Sequence, residues 1–387
     1  MSDAIMATYS RLPVTFTKGA DARLWDTEDR EYVDALSGIA VCSLGHAHPE
    51  IAKAISDQAH TLIHTSNLYG IEPQEKLASK LAQLSGMEQV FFSNSGTEAN
   101  EAAIKLARRY GSGKGVSLPK IIVVEGSFHG RTMAALSATG NKKIQEGFAP
   151  LLEGFVHVPY NDLSAIEVAM DDQVVAIMVE PIQGEGGINI PDEGYLKSIR
   201  QLCNKHGCLM ILDEIQAGMC RTGTWFGYQH EDVTPDVVTL AKALGNGVPI
   251  GAMLARGEAV GVLVAGTHGS TFGGNFLACR TALTVVEVME RDAMAARAKE
   301  LGEYFLKGFA SLAELSGVKD VRGKGLMLGI ELEKDCPELV LQALEAGLLI
   351  NVTAGSVIRL LPPIVMTNEQ ADSVIETVSR LVKEFIA

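Results

Sequence analysis

A series of short apolar runs without charges, spread along the middle of the chain, narrows its possible folds more than any other feature. The runs are Val90–Phe92, Ile121–Val124, Val175–Val179, Leu209–Leu212, Val237–Leu240 and Gly251–Ala255. Each is mostly β-branched or aliphatic and is bounded by polar or turn residues. A strand with one wet face alternates apolar and polar side chains; runs that do not alternate belong to strands buried on both faces. Helix-patterned stretches separate most of them from about residue 60 onward. The expected class is therefore α/β, a mainly parallel sheet with helices on both faces.

The flanks read differently. Gly19–Val41 is patterned as short strands and turns, and Ile51, Ala54, Ile55 and Ala59 give the stretch after His48-Pro49 one apolar helical face. After about residue 280 a long helical stretch leads to alternating segments, Gly325–Leu332 and Val357–Leu361, and to a final amphipathic helix, Glu369–Ile386. The expected division is an N-terminal segment, 1–60, packed with the small domain; a large domain, 61–284; and a small α+β domain, 285–387. A chain of 387 residues has room for two such units sharing a site.

The net charge of −14 argues against binding a phosphate backbone, which needs a basic face. A small anion would need local basic groups or backbone N–H donors. The six cysteines form no Cys-x-x-Cys pair, which fits reduced thiols and no zinc site. His46 and His48 lack the company of a metal site, so no metal is expected. Met1–Arg11 has no apolar signal core and no stretch is long and apolar enough to span a membrane, so a cytoplasmic chain is expected.

Four stretches carry chemistry. In Phe92-Ser93-Asn94-Ser95-Gly96-Thr97-Glu98-Ala99-Asn100 an apolar strand meets an alanine-rich helix. A Ser-Gly-Thr turn there offers free N–H groups, hydroxyls and the positive helix end, the parts of a phosphate cradle. Plain N-capping by Ser95 or Thr97 is the alternative. Asp213 follows Ile211-Leu212, where ligands gather in open α/β sheets. Buried there, it needs a partner: a cationic ring nitrogen, or simply a capped loop. Lys242 directly follows the run Val237–Leu240 and Ala241, where desolvation favours a neutral, nucleophilic amine. In Phe128-His129-Gly130-Arg131-Thr132 the ring of Phe128 suits a planar cofactor and Arg131 a carboxylate, or else core packing and a surface ion pair. His129 reads as structural. The glycine-rich stretches Gly111–Gly115 and Gly245–Gly251 have the spacing of neither a dinucleotide fingerprint nor a P-loop.

With Glu180-Pro181-Ile182-Gln183-Gly184-Glu185, Asp213-Glu214-Ile215-Gln216 and Thr267-His268-Gly269-Ser270-Thr271-Phe272-Gly273-Gly274-Asn275, these stretches make the chain similar to the class III, fold type I, pyridoxal-phosphate aminotransferases. The stretch from Gly266 to Phe272 and Arg322–Met327 resemble the acetylornithine group of that family most. The resemblance implies a seven-stranded-type sheet and pyridoxal 5'-phosphate as cofactor. It makes Lys242 the Schiff-base lysine and proton shuttle, and Asp213 the partner of the pyridine nitrogen. Gln216 would meet the cofactor oxygen, and Phe128 would stack on the ring. Ser95, Gly96 and Thr97 would hold the phosphate, joined by Thr271 from a second subunit, which makes a homodimer with sites at the interface. Arg131 and Ser270 would contact acetylornithine, and Arg359 would take the α-carboxylate of glutamate or 2-oxoglutarate, with Glu185 as its switchable partner.

The implied reaction takes N2-acetylornithine and 2-oxoglutarate to N-acetylglutamate 5-semialdehyde and glutamate, in arginine biosynthesis. Other ω-amines (succinylornithine, succinyl-diaminopimelate, ornithine, 4-aminobutyrate), an aminomutase on the same fold, and a non-catalytic binder are the alternatives. Departures from the family pattern are Ala217, Met219 and Cys220, the last in place of glycine, Asn246 in an otherwise all-glycine turn, Phe276 in place of proline, and Cys42-Ser43 in place of two asparagines near the substrate mouth.

Overall fold

A computed structural model describes residues 4–387; the first three residues of the Met1–Arg11 reading lie outside the described residues. The six apolar runs become strands of one seven-stranded sheet. Its order is Gln89–Ser93, Gly251–Ala255, Val237–Leu240, Leu209–Asp213, Val174–Val179, Lys120–Val124 and Phe155–Val158. Gly251–Ala255 runs antiparallel to both neighbours, and the remaining pairs are parallel. Every residue of Val174–Val179, Leu209–Asp213 and Val237–Leu240 is buried, which is why these runs carry no polar alternation. The seventh strand, Phe155–Val158, lies at the sheet edge and is only partly buried. It gives too weak a pattern to read from sequence.

Two smaller sheets flank this one. The N-terminal strands Phe16–Ala20, Arg23–Asp26 and Glu31–Asp34 take their fourth strand from Leu348–Leu349, parallel to Glu31–Asp34. Chain ends more than 300 residues apart therefore share hydrogen bonds. The other sheet orders Val318–Lys324, Met327–Leu332, Val357–Leu360 and Asn351–Thr353. Helices Phe276–Arg291 and Met294–Phe309 lead into it, and Asn368–Ile386 closes the chain from a Thr367–Gln370 capping box. No helix among the described residues is long and apolar enough to cross a membrane.

The topology fixes the place of the site. Val124, Val179, Asp213 and Leu240 all stand at the carboxyl ends of parallel strands, so the loops after them converge on one edge of the sheet.

Candidate active site

A cavity of about 370 Å³ opens at that edge. Asn94, Ser95, Gly96, Thr97, Phe128, Arg131, Glu185, Asp213, Gln216 and Lys242 are among the residues that line it.

Its phosphate-sized corner is the N-terminus of helix Gly96–Gly113. The first amides of a helix have no intrahelical partner and carry the positive end of its dipole. Ser95 is the N-cap, its Oγ accepting from the Glu98 amide at 3.2 Å. The capping alternative is thus present at Ser95, and the amides of Gly96 and Thr97 are left for a ligand. Gly96 sits close under Ile215: a Cβ there would lie 2.8 Å from Ile215 Cδ1 and would push that side chain aside. Thr97 Oγ1 meets Thr132 Oγ1 at 3.0 Å.

Asp213 is held from three directions. Oδ1 accepts from the Ile215 amide at 3.0 Å. Oδ2 meets His129 Nδ1 and Asn100 Nδ2, each at 2.8 Å. Asn100 is itself fixed by Thr239 Oγ1 at 2.8 Å, and it also donates to the His129 carbonyl at 2.7 Å. All four residues are buried. His129 is therefore more than core filling, and Asn100 belongs to the site as well. A signal for Asn100 was present: it is the polar residue on a helix face otherwise made of Ala99, Ala102, Ala103 and Ile104.

Phe128 is placed through its backbone. Its amide donates to Glu180 Oε1 at 2.9 Å, and the Gly184 amide donates to Glu180 Oε2 at 3.1 Å. Burial, with Asp213 close by, raises the Glu180 carboxyl to about 7. Arg131 is exposed and lies with its guanidinium 5.6 Å from the Phe128 ring centroid.

Lys242 stands two residues beyond its strand, at φ +47, a backbone region that non-glycine residues seldom occupy. Among the described residues its ammonium has no ion pair. Burial pushes its titration below that of an ordinary lysine; Glu185 opposes this and Arg359 adds to it.

Arg359 is fully buried on the Val357–Leu360 strand. Nε donates to Asn351 Oδ1 at 2.9 Å and Nη1 to Glu185 Oε1 at 2.6 Å, while Nη2 is buried with no partner among the described residues. Gln216 Oε1 is likewise buried and unpaired. Buried polar atoms without partners are rare in native proteins, and Gln216, which lines the cavity, is one that a ligand could satisfy.

The donor set fits pyridoxal phosphate. The N-terminus of helix Gly96–Gly113 would hold the phosphate, the Phe128 ring would cover the pyridine, the Asp213 carboxylate would meet the ring nitrogen, the Gln216 amide the ring oxygen, and Lys242 the aldehyde carbon. Ser270, expected at the substrate, does not line this cavity; its Oγ accepts from Asn94 Nδ2 at 3.2 Å. Thr271, expected to serve a second subunit's site, is exposed. Ser43, expected near the substrate mouth, is instead buried against Arg221, whose Nη2 donates to Ser43 Oγ at 2.7 Å; the residue of that segment in the cavity wall is Val41.

The chain is similar to known proteins along nearly its whole length. The chain is 53% identical to the acetylornithine aminotransferase of Nitrosomonas europaea over 99% of its own length and 98% of the relative's. It matches a structure of Toxoplasma gondii ornithine aminotransferase described with partial occupancy of PLP at its active site (TM-score 0.93, 36% identity, 97% and 92% of the two chains). It also matches the acetylornithine aminotransferase of Elizabethkingia anophelis (TM-score 0.87, 37% identity, 98% and 96%). The family profile described as "Aminotransferase class-III" spans residues 5–382, and the chain belongs to that family.

Proposed function

We propose that the protein is an acetylornithine:2-oxoglutarate aminotransferase that uses pyridoxal phosphate and works in arginine biosynthesis as a homodimer. The observation that carries this reading is the Arg359–Glu185 pair beside Lys242, which has no ion pair among the described residues. One site must take the terminal amine of a donor with no α-carboxylate near the reacting carbon, and then the α-amino acid glutamate. Paired with Glu185, Arg359 is neutralised for the first substrate; released from it, Arg359 is the receptor for the second.

Bound cofactor supplies the carbonyl that takes up the amine and the electron-withdrawing ring that acidifies the neighbouring carbon. The chain supplies the rest. Lys242 Nζ, whose titration burial lowers, takes the proton from the amine-bearing carbon of the donor and returns a proton in the reverse sense with 2-oxoglutarate. Asp213, steadied by His129 and Asn100, would face the ring nitrogen and hold a proton there. The Gly96 and Thr97 amides anchor the phosphate, Phe128 covers the ring, and Arg131 binds the carboxylate at the far end of acetylornithine. Exposed Thr271 and the nearby Ser270 complete a neighbouring subunit's site, which the homodimer requires.

The test is a comparison of kcat/KM for N2-acetylornithine, succinylornithine, succinyl-diaminopimelate, ornithine and 4-aminobutyrate, each with 2-oxoglutarate. Acetylornithine should lead the series. A different leader would keep the chemistry and replace the substrate, and turnover without any oxo acid would point to an aminomutase.

A further inference from the structure

The turn after Lys242 contains Asn246, whose backbone sits at φ +45, a region that glycine occupies most readily. Its side chain is engaged at both ends with one short N-terminal segment. Oδ1 accepts from the Leu44 amide at 2.8 Å, and Nδ2 donates to the Gly45 carbonyl at 3.1 Å. On one side of this two-point clasp, Gly247, Val248, Pro249 and Ile250 line the cavity; on the other, Val41 does.

The segment that carries Val41 is a left-handed turn held both from within and from outside. Ser37, Gly38, Ile39 and Ala40 all have positive φ, between 48° and 66°, the Ile39 and Ala40 amides donate to the Leu36 carbonyl and the Val41 amide to the Ser37 carbonyl, and further bonds anchor the strap to its surroundings. Ser37 Oγ donates to the Leu361 carbonyl at 2.6 Å, the Ile364 amide donates to the Ser43 carbonyl at 2.7 Å, and Arg221 donates to Ser43 Oγ. Those bonds tie it to the chain just after Arg359 and to the loop beyond Asp213. Asn246 supplies the hydrogen bonds that tie it to the Lys242 turn.

We propose that Asn246 is a positioning residue that sets donor specificity, by fixing the gap between Val41 and the Val248–Ile250 wall. The inference rests on the aminotransferase reading. None of the Asn246 hydrogen bonds goes to a residue assigned to the cofactor or to a substrate carboxylate, so its effect is on which donors fit. Without the clasp the strap keeps its anchors on Leu361, Ile364 and Arg221 but is free to draw away from the Lys242 turn. A wall that yields admits longer acyl groups on the donor and grips the short acetyl group less well.

The test uses Asn246→Gly in the cofactor-loaded protein. Glycine adopts this φ freely, so the variant loses the clasp without backbone strain and should fold. Two quantities are read against wild type: amide hydrogen exchange across Val41–His46, and the ratio of kcat/KM for succinylornithine to that for acetylornithine. Exchange should quicken, and the ratio should rise about tenfold, the discrimination that roughly one methylene of pocket fit supplies. Faster exchange with an unchanged ratio would make the clasp purely structural and overturn the proposal. Unchanged exchange would mean that Asn246 does not hold the strap, and would overturn it too. Wild type inactive on both acyl-ornithines would instead overturn the functional reading, a result read from wild type alone, and this inference with it.

Discussion

Arg359 Nη1 lies 2.6 Å from Glu185 Oε1, and the two partners are unequally buried: the guanidinium is 0% exposed and the carboxylate 34%. Glu185 can therefore leave toward solvent, whereas Arg359 cannot. Burial is the largest single effect and works against ionising Glu185, but Arg359, together with Lys242 and Gln216, holds the carboxyl below its usual range. Removing the acid leaves a buried cation short of its partner, at a cost of about 1–3 kcal/mol. Glu185→Ala should lower the melting temperature, and 2-oxoglutarate should restore more of the loss than it adds to wild type. The same variant should raise kcat/KM for glutamate relative to acetylornithine by about tenfold. An unchanged ratio in steady-state assays would remove Glu185 from the switch.

Lys242 is held in a place that suits chemistry rather than stability. A lysine whose titration is lowered by folding binds its proton less well in the native state, so it detracts from stability at neutral pH and does so less as pH rises. Lys242→Met fills the same space without a charge. In cofactor-free protein it should raise stability by about 1 kcal/mol, read by thermal melting, while activity is lost. A destabilised Lys242→Met would mean that the amine has a stabilising partner in solution.

His46 Nε2 meets Asp34 Oδ2 at 2.7 Å, and that bond is the main reason the imidazole is raised to about 9. The sign follows from linkage: the pair's contribution is complete below the unfolded histidine value near 6.5 and fades as pH rises through 9. His46→Gln should therefore melt below wild type at pH 6, with a gap that narrows toward pH 9.5 or so. A gap independent of pH would show that the ion pair carries none of the stability.

Cys220 occupies φ +69 with its side chain buried, at a position where the family pattern has glycine. Alanine there would keep the left-handed strain and lose the sulfur contacts. Glycine would lose the contacts but release strain of about 1–2 kcal/mol. Cys220→Gly should therefore be at least as stable as Cys220→Ala in denaturant titrations, the reverse of the usual order. The usual order would place the strain elsewhere.

The strands that carry the site were legible because burial on both faces leaves an unbroken apolar run, and Asp213 and Lys242 stood out as charges at the ends of such runs. Phe155–Val158 escaped notice because an edge strand needs less apolar surface, and Val318–Lys324 because Lys319, Asp320, Arg322 and Lys324 mask its pattern. The contacts around Asp213 were harder to see. His129 comes from the loop after Lys120–Val124 and Asn100 from helix Gly96–Gly113, and only the fold brings them to one oxygen. For the same reason Ser43 was misplaced: its partner Arg221 lies 178 residues away. Asn246 was visible as an odd residue in a glycine turn, but its partners Leu44 and Gly45 were not.

The central claim is that Lys242 holds a cofactor that passes an amino group from acetylornithine to 2-oxoglutarate. Its most direct test is the absorbance spectrum of the purified protein supplied with pyridoxal phosphate, titrated first with N2-acetylornithine and then with 2-oxoglutarate. The visible band of lysine-bound cofactor should bleach with the amine and return with the oxo acid, and Lys242→Met should lack it. A protein that takes up no such band, or whose band ignores acetylornithine while responding to another amine, would contradict the account.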